Sequence, residues 1–271
     1  MSRNPPTHLS EALVPEPEPA LAGPVVGIGA SAGGLEALKS LFSNIPASCG
    51  MSFVVVQHLS PDHSSSLAEI LSSTTKMPVR QVTEPVKVAV NEIYVVSPGS
   101  TLTITNGLLT PSPSNSGGLT RPIDHFLRSL ALDLQENAVG IILSGAGNDG
   151  TMGLQAIRKF GGLTIAQTPE SSRFDSMPRS AIVAGVADHS LPAEEMGRQL
   201  ISYFAFRAQN SDGKGGEDEI AAALPAIFRI LDESLGHDFS RYKQSTLIRR
   251  IRRRMQMLRI DPVTAFPSTS E

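Results

Sequence analysis

Short apolar runs alternate with helical patterns along most of the chain, from Val25 to about Phe204. Apolar runs of this length are typical of strands buried in a parallel sheet. The predicted strands cover residues 25–28, 53–56, 93–96, 139–143 and 163–166. Strand–helix repetition implies right-handed crossovers. The pattern therefore predicts an α/β fold: a doubly wound, mostly parallel sheet with helices on both faces, plus a small C-terminal helical segment.

Two helices and one hairpin stand out within this pattern. The helical positions lie three and four residues apart, at Leu35, Leu38, Leu41 and Phe42, and at Ile123, Phe126, Leu127, Leu130 and Leu134. Residues 101–110 carry Asn106-Gly107 in their middle, the dipeptide that type I′ hairpin turns prefer. We expect this segment to form a hairpin inserted into the sheet domain.

Composition divides the chain into four predicted parts. They are a disordered Pro-rich tail (1–23), the α/β domain (24–205), a flexible linker without apolar residues over most of its length (206–219) and an incomplete helical segment (220–262). Within the helical segment, Gly236 has the position of a C′ glycine. Ser240 is a candidate cap of the helix that follows it.

The average charge hides a strong asymmetry. The formal net charge is -3, but residues 241–260 carry eight basic side chains and no acidic one. The remainder holds 15 basic and 26 acidic residues, and the chain has no Trp. These values argue against a nucleic-acid partner.

The same composition indicates where the protein works. A single cysteine, Cys49, excludes an intramolecular disulfide and fits a reducing compartment. The chain has no run of about 18 apolar residues, the length that a membrane span needs. The first residues lack the apolar core of a signal peptide. We expect a cytoplasmic protein without membrane insertion.

Ser31 is the candidate nucleophile. It lies in Gly29-Ala30-Ser31-Ala32-Gly33, between the first predicted strand and the first helix, which is the context of a G-x-S-x-G nucleophile elbow. The N-terminus of the following helix offers N–H groups to an oxyanion. Residues 27–32 also fit a dinucleotide-binding G-x-G-x-x-A pattern. That pattern requires an acidic residue about 20 positions later, where this chain has Gln57-His58.

His58 and Asp149 complete a candidate triad with Ser31. Both follow predicted strands, and the carboxyl ends of parallel strands converge on one crevice. An imidazole would take the proton of the serine, and a carboxylate would orient the imidazole. Each residue also has a structural alternative, as a helix cap, a hydrogen-bonding histidine or a turn aspartate. His63 is a weaker candidate base, and no common zinc-ligand spacing is present.

Residues 24–204 resemble the catalytic domain of CheB-type protein-glutamate methylesterases. The shared motifs are Gly29-Ala30-Ser31-Ala32-Gly33-Gly34, Gln57-His58, Pro98-Gly99, Gly147-Asn148-Asp149-Gly150, Gln167 and Met177-Pro178-Arg179-Ser180-Ala181. The resemblance implies hydrolysis of glutamyl methyl esters on chemoreceptors, often with deamidation of receptor glutamines, and no cofactor or metal. By this resemblance Ser31 is the nucleophile, His58 the base and Asp149 its orienter.

The chain departs from the chemotaxis members of that family near the nucleophile. Those members often have Thr in place of Ala32 and Met in place of Ala146. Together with Gly33 and Arg179, these residues form the predicted oxyanion and substrate vicinity. A catalytically silent receptor-interaction module is therefore the alternative function, and nucleotide binding at the glycine-rich turn is a third hypothesis. No receiver domain precedes Val25, so we expect no activation by aspartyl phosphorylation within this chain.

Residues 220–260 resemble the N-terminal helical domain of CheR-type receptor methyltransferases. The shared stretch runs from Gly236 to Lys243 and continues through Thr246-Leu247 to the arginine run ending at Met255. The chain ends before any S-adenosylmethionine-binding unit, so it is interpreted as the front of a methylesterase–methyltransferase fusion. The predicted partner-docking residues are Arg249, Arg250, Arg252 and Arg253. A solvated helix face is the alternative interpretation of this run.

Overall fold

A seven-stranded parallel sheet forms the centre of the protein. The computed structural model describes residues 23–57, 66–114, 121–209, 214–236, 242–258 and 260. Its strands are β1 (Val25–Ala30), β2 (Ser52–Gln57), β3 (Val79–Val82), β4 (Val86–Lys87), β5 (Ile93–Val96), β6 (Ser100–Thr105), β7 (Leu108–Pro113), β8 (Ala138–Ile142), β9 (Leu163–Gln167) and β10 (His189–Leu191). The large sheet has the order β10-β9-β8-β1-β2-β5-β3, with every pair parallel. The predicted α/β class and all five predicted strands are confirmed.

Helices cover both faces of this sheet. They are α1 (Gly34–Phe42), α2 (Leu67–Thr74), α3 (Pro122–Leu134), α4 (Thr151–Lys159), α5 (Ser176–Val183), α6 (Ala193–Gln209), α7 (Lys214–Leu235) and α8 (Gln244–Leu258). One apolar cluster joins the sheet to α1, α2 and α6, and a second joins its other face to α3, α4 and α5. Strands buried on both sides explain the continuous apolar runs in the sequence.

The second cluster also packs against a small antiparallel sheet of order β4-β7-β6. The predicted hairpin is confirmed, since β6 and β7 pair in register and their turn is Asn106-Gly107. Both turn residues have positive φ, 50° and 70°, as a type I′ turn requires. The carboxylate of Asp133 on α3 accepts the N–H groups of both turn residues, at 2.6 and 2.9 Å.

The strand order reverses direction at β1. From β1 the chain passes to β2 and β5 on one side, and later to β8, β9 and β10 on the other. Connections from neighbouring strands leave on opposite faces at such a switch point, which opens a crevice beyond the carboxyl ends of the strands. The loops after β1 and β8 flank this crevice, and they contain Ser31 and Asp149.

Close helix packing explains the first two glycines of the glycine-rich segment. A Cβ added to Gly27 would lie 2.6 Å from a methyl carbon of Leu127, and one added to Gly29 would lie 2.4 Å from Ile123 Cγ2. Both contacts are far below a normal van der Waals distance, so α3 rests directly on these two residues. The packing of α3, rather than an approaching phosphate, thus accounts for the pattern that resembles a dinucleotide fingerprint.

The C-terminal part differs from the predicted linker. Helix α6 continues to Gln209 and α7 begins at Lys214, so much of the region predicted to be flexible is helical; residues 210–213 lie outside the described residues. The prediction of a linker rests on the low content of apolar residues in this region. A helix can form without apolar residues, so this criterion does not exclude one. Gly236 has φ 63° and its N–H donates to Asp232 O, which confirms the C′ glycine. Ser240 lies outside the described residues, and α8 begins at Gln244.

Within the described part of the chain, no helix combines the length and the apolarity that crossing a membrane would need.

Candidate active site

Ser31 lies in a tight turn between the central strand and α1. Its N–H donates to Ser144 O at 3.0 Å, and its carbonyl oxygen accepts the N–H of Gly34 at 2.9 Å. Gly33 has φ 72°, and a Cβ there would lie 2.9 Å from both Arg173 Cβ and Ser144 Oγ. The turn therefore requires glycine after Ser31 for both conformation and space. This is the strand–turn–helix geometry of a nucleophile elbow.

Two buried polar side chains, Ser144 and Gln167, hold this turn against the neighbouring strands. Ser144 Oγ donates to Ala32 O at 2.9 Å and accepts the N–H of Phe174 at 3.0 Å. Gln167 Oε1 accepts the N–H of Ser144 at 2.9 Å, and Gln167 Nε2 donates to Ser171 O at 2.9 Å. Neither side chain was among the predicted site residues. For Gln167 the available signal in the sequence is a glutamine at the end of a mostly apolar strand.

The loop after β8 passes directly over Ser31. A Cβ added to Gly145 would lie 2.9 Å from Ser31 Cβ and 2.2 Å from Met177 Sδ. Only a residue without a side chain fits between them. The next residue, Ala146, is exposed, as is Ala32 on the other side of the turn. Both predicted vicinity positions thus border an open surface beside the serine.

Asp149 lies on the same loop and is bound by three backbone N–H groups. Its Oδ1 accepts from Asp124 at 2.9 Å and from Gly150 at 2.9 Å, and its Oδ2 accepts from Ile123 at 3.1 Å. Two of these donors belong to the first turn of α3, whose dipole complements a negative charge. The side chain is almost fully buried, so its orientation is fixed by these bonds.

Arg121 and Asp124 contact Asp149, and neither was among the predicted site residues. Arg121 Nε lies 2.8 Å from Asp124 Oδ2 and 3.8 Å from Asp149 Oδ1, and Arg121 Nη2 donates to Asn148 O at 2.8 Å. Burial raises the pKa of Asp124; the N–H of Gly153 opposes this shift, and the charge of Asp149 adds to it. Because a single guanidinium contacts both carboxylates, it offsets part of their repulsion.

His58 and the weaker candidate His63 lie outside the described residues. The strand before His58 is described, and its register pairs Gln57 with Ala30. Strands β1 and β2 therefore end side by side, and the chain continues from them into Ser31 and His58. The assignment of His58 as the general base stays a prediction.

The backbone N–H groups beside Ser31 differ in availability. The N–H of Ser31 donates to Ser144 O, so it is already used within the fold. Ala32 and Gly33 follow it immediately before α1 begins. Their N–H groups lie at the positive end of this helix, where a developing oxyanion is stabilised. In nucleophile elbows the residue after the nucleophile supplies such a donor, and here that residue is Ala32.

Arg179, one of the predicted site residues, forms an ion pair with Asp175. Its guanidinium binds Asp175 Oδ2 at 2.9 Å from Nε and 2.5 Å from Nη2, and Asp175 is the residue immediately before α5. Both side chains are substantially exposed, so this pair contributes little stability.

Metal-ligand side chains are scattered in the part of the chain that the structure describes, which contains no group of three His, Cys, Asp or Glu positioned to hold a metal ion.

One predicted docking residue faces inward. Arg253 on α8 donates to Gly162 O at 3.2 Å from Nε and 2.9 Å from Nη2, and it forms an ion pair with Asp188. Its side chain is 14% exposed, so it fastens α8 to the α/β domain and is not available to a partner in this arrangement. The prediction for Arg253 is corrected, because a charge run does not show which members find partners within the chain. Docking by Arg249, Arg250 and Arg252 stays a prediction.

Both parts of the chain match known protein families. Residues 26–200 match the CheB methylesterase family, and residues 222–266 match the all-alpha domain of CheR methyltransferases. The catalytic domain of a CheB methylesterase from Thermotoga maritima superimposes with a TM-score of 0.61 at 32% identity, covering 67% of this chain and 99% of that one. The chain belongs to the CheB methylesterase family. The second match, to the methyltransferase helical domain, identifies the chain as CheB/CheR-type in organisation.

Two curated relatives are longer than this chain. A protein-glutamate methylesterase/protein-glutamine glutaminase of Burkholderia orbicola is 37% identical over 210 residues, which cover 73% of this chain and 60% of the relative. An uncharacterized 104.1 kDa protein of Rhodobacter capsulatus is 34% identical over 222 residues, covering 74% and 23% respectively. The matched part of this chain thus spans less than two thirds of these relatives.

Proposed function

We propose that this chain is a protein-glutamate methylesterase, a serine hydrolase that removes methyl esters from glutamate side chains of chemoreceptors and also deamidates receptor glutamines. The names of the relatives support this substrate class. The observation that carries the proposal is Ser31 in an elbow against Gly145, with Asp149 held on the same loop. Ser31 and Asp149 both lie at the switch point of the sheet, where ligands bind in this architecture.

The proposed reaction has two steps. Ser31 Oγ attacks the ester carbonyl while His58 accepts the serine proton; the tetrahedral intermediate collapses, and methanol leaves with that proton. This leaves the glutamyl side chain esterified to Ser31. Water then attacks the new ester with His58 again as the base, and free glutamate and the serine hydroxyl are regenerated. With a glutamine substrate, ammonia leaves in place of methanol. The steps use only protein groups and water.

Asp149 is proposed to orient the imidazole of His58. Three backbone donors fix its carboxylate, so it can present one face to the base without rotating. Arg121 is a positioning residue, since it joins Asp124, Asn148 and Asp149. The N–H groups of Ala32 and Gly33 are proposed to bind the oxyanion, because the N–H of Ser31 is occupied by Ser144.

The proposed partners are chemoreceptors or similar sensory proteins, met in the cytoplasm. Arg249, Arg250 and Arg252 on α8 are proposed to meet acidic receptor helices, because like charges on one helix favour an oppositely charged partner. A silent interaction module is the competing function, since exposed Ala32 and Ala146 replace larger residues of chemotaxis enzymes at the rim of the site.

Methanol release from a methylated receptor fragment should separate these functions. We expect release that rises between about pH 6 and pH 7, where an ordinary imidazole loses its proton, and stays level above that range. The measurement is methanol formed per enzyme at pH 5–9, with and without a metal chelator. A chelator should have no effect. Binding of the fragment without any methanol would favour the silent module, and inhibition reversed by zinc would contradict the mechanism.

Asp149→Asn should lower both stability and turnover. An amide can accept at one oxygen only, so its NH₂ group would oppose a backbone N–H, which costs about 1–3 kcal/mol of unfolding free energy. Urea unfolding measures this cost, and methanol release measures turnover, which should fall less than in Ser31→Ala.

Asp133→Asn is the matched control, because Asp133 also binds two backbone N–H groups but lies at the hairpin. It should lower stability and leave turnover per folded molecule unchanged. Equal turnover of the two folded variants would show that Asp149 has no role beyond the fold.

A further inference from the structure

A basic groove lies between α4 of the α/β domain and α8 of the helical segment. Its volume is about 440 Å³, a size typical of small-molecule sites. The lining residues are Gln155, Arg158, Lys159, Gly161, Asp188, Arg249, Arg250, Arg253 and Arg254. Six cationic side chains thus face one carboxylate.

That carboxylate is already engaged. Asp188 forms an ion pair with Arg253, and Arg158 Nε lies 3.9 Å from Asp188 Oδ1. Asp188 also accepts hydrogen bonds from Thr164 N–H at 3.0 Å and from Thr164 Oγ1 at 2.7 Å. Arg253 therefore joins α8 to the α/β domain, whereas Arg158 pairs with Asp188 within that domain. Asp188 neutralises only part of the charge of these two arginines.

The other four cations line the groove without an acidic partner among the residues that the structure describes. They are Lys159, Arg249, Arg250 and Arg254. Placing several like charges around one concavity raises the free energy of the empty groove, and a polyvalent anion removes that repulsion. Guanidinium groups bind phosphate oxygens in pairs. A polyphosphate chain carries several such charged groups in direct succession, so it brings more negative charge into a groove of this size than carboxylates on separate side chains do.

We propose that this groove binds a polyphosphate chain, either inorganic or the phosphate tail of a nucleotide. No aromatic side chain is among the described residues that line it, so the groove has no aromatic platform for a base. Recognition would therefore rest on the phosphates. The ligand would contact α4 through Lys159 and α8 through Arg249, Arg250 and Arg254, and so would join the two units.

The groove is separate from the candidate active site. Gly161 and Asp188 come just before β9 and β10, so the groove lies at the amino ends of the strands. Ser31 lies at the carboxyl ends, on the opposite edge of the sheet. Binding in the groove would act on the packing of α8 rather than on the ester, and it does not depend on the proposed esterase activity.

Calorimetric titration of the full chain with tripolyphosphate tests the proposal. We expect saturable binding that weakens as sodium chloride is raised, because ionic contacts are screened. Pyrophosphate should bind more weakly than tripolyphosphate, and orthophosphate more weakly still. ATP titrated in parallel distinguishes the sources: an affinity equal to that of tripolyphosphate identifies the phosphate chain, and a tighter one identifies a nucleotide. Both results support the site.

Variants on both sides of the groove make the test specific. Lys159→Gln on α4 and Arg250→Ala on α8 should each weaken tripolyphosphate binding by roughly tenfold, the effect of losing one charge-assisted contact. Both side chains are exposed, so folding should be unaffected. Arg198→Ala on α6, exposed and outside the groove, is the control and should bind normally. Ser31→Ala should also bind normally, which separates this site from catalysis.

Three results would overturn the proposal. The first is no saturable binding of tripolyphosphate at low salt. The second is equal weakening by Arg198→Ala, which would indicate non-specific charge attraction. The third is tighter binding of an acidic glutamate peptide than of tripolyphosphate with the same dependence on Lys159 and Arg250. That result would assign Arg249 and Arg250 to the receptor docking proposed above and not to a phosphate chain.

Discussion

Ser31→Ala should lower the turnover of a methyl ester by about 10³-fold or more, while the free energy of unfolding changes by less than about 0.5 kcal/mol. Turnover falls because the hydroxyl oxygen forms the covalent intermediate in the proposed reaction. Stability is kept because the contacts that hold the turn come from the backbone: the N–H bound to Ser144 and the carbonyl bound by Gly34. Steady-state hydrolysis and urea unfolding of the same preparation measure the two quantities.

Ser180→Ala is a suitable control for this variant. Ser180 lies on α5, and its hydroxyl donates to Ser176 O at 2.7 Å within the helix. Its loss should change neither turnover nor stability appreciably. His58→Ala should reproduce the loss seen for Ser31→Ala, because residues that act as one unit give similar losses when removed singly. Near-normal turnover of Ser31→Ala would remove Ser31 from the mechanism.

Gly145→Ala should lower turnover by about 10²-fold although residue 145 carries no reactive group. The added methyl would lie 2.9 Å from Ser31 Cβ and 2.2 Å from Met177 Sδ, so the loop or the nucleophile must move. Displacing a reacting group by about 1 Å can cost this much in rate. Overpacking should also lower the unfolding free energy by about 1–3 kcal/mol.

The two clashes can be separated by a second substitution. In Gly145→Ala/Met177→Ala the new methyl group occupies the space that the thioether leaves. The free energy of unfolding should therefore fall by less than the sum of the losses in the two single variants. Turnover should stay low, because the contact with Ser31 Cβ remains. Met177→Ala alone should lower stability with a much smaller effect on turnover per folded molecule. Recovery of turnover in the double variant would show that Met177, not the approach to Ser31, explains the glycine.

The sheet and its elbow follow from local sequence patterns. Runs of apolar residues mark strands buried on both faces, and Asn106-Gly107 marks a turn whose positive φ angles few other residues adopt. The short edge strands β3 and β10 lack such runs because their residues are only partly buried. Ser31 and Asp149 could be predicted as neighbours because both follow strands that meet at the switch point.

Other parts of the site depend on contacts between distant segments. Ser144 Oγ donates a hydrogen bond to Ala32 O although the two residues are 112 positions apart in the sequence. The spacing of apolar residues does not predict this contact. Arg121 has a nearby partner in the sequence, Asp124 three residues later, but the contact with Asp149 arises only because the loop after β8 folds against the start of α3. Such contacts depend on how loops from different strands converge.

The arginines of α8 also have environments that the sequence does not predict. Its arginines read alike in the sequence, yet Arg253 contacts Gly162 and Asp188 whereas Arg250 and Arg254 are exposed. The difference comes from one face of α8 resting on the α/β domain, with Met255 buried on it. The exposed face of α8 and the face that packs against the α/β domain are therefore different parts of one helix.

Covalent labelling with an organophosphonate serine probe tests the central claim most directly. Activated serine nucleophiles react with such probes, whereas ordinary serines do not. Intact-mass measurement of the full chain should show one added phosphonyl group, and peptide mapping should locate it on Ser31. The label should be absent in Ser31→Ala and present in Ser180→Ala. An unlabelled wild-type chain, or a label on another serine, would contradict the assignment of Ser31 as the catalytic nucleophile.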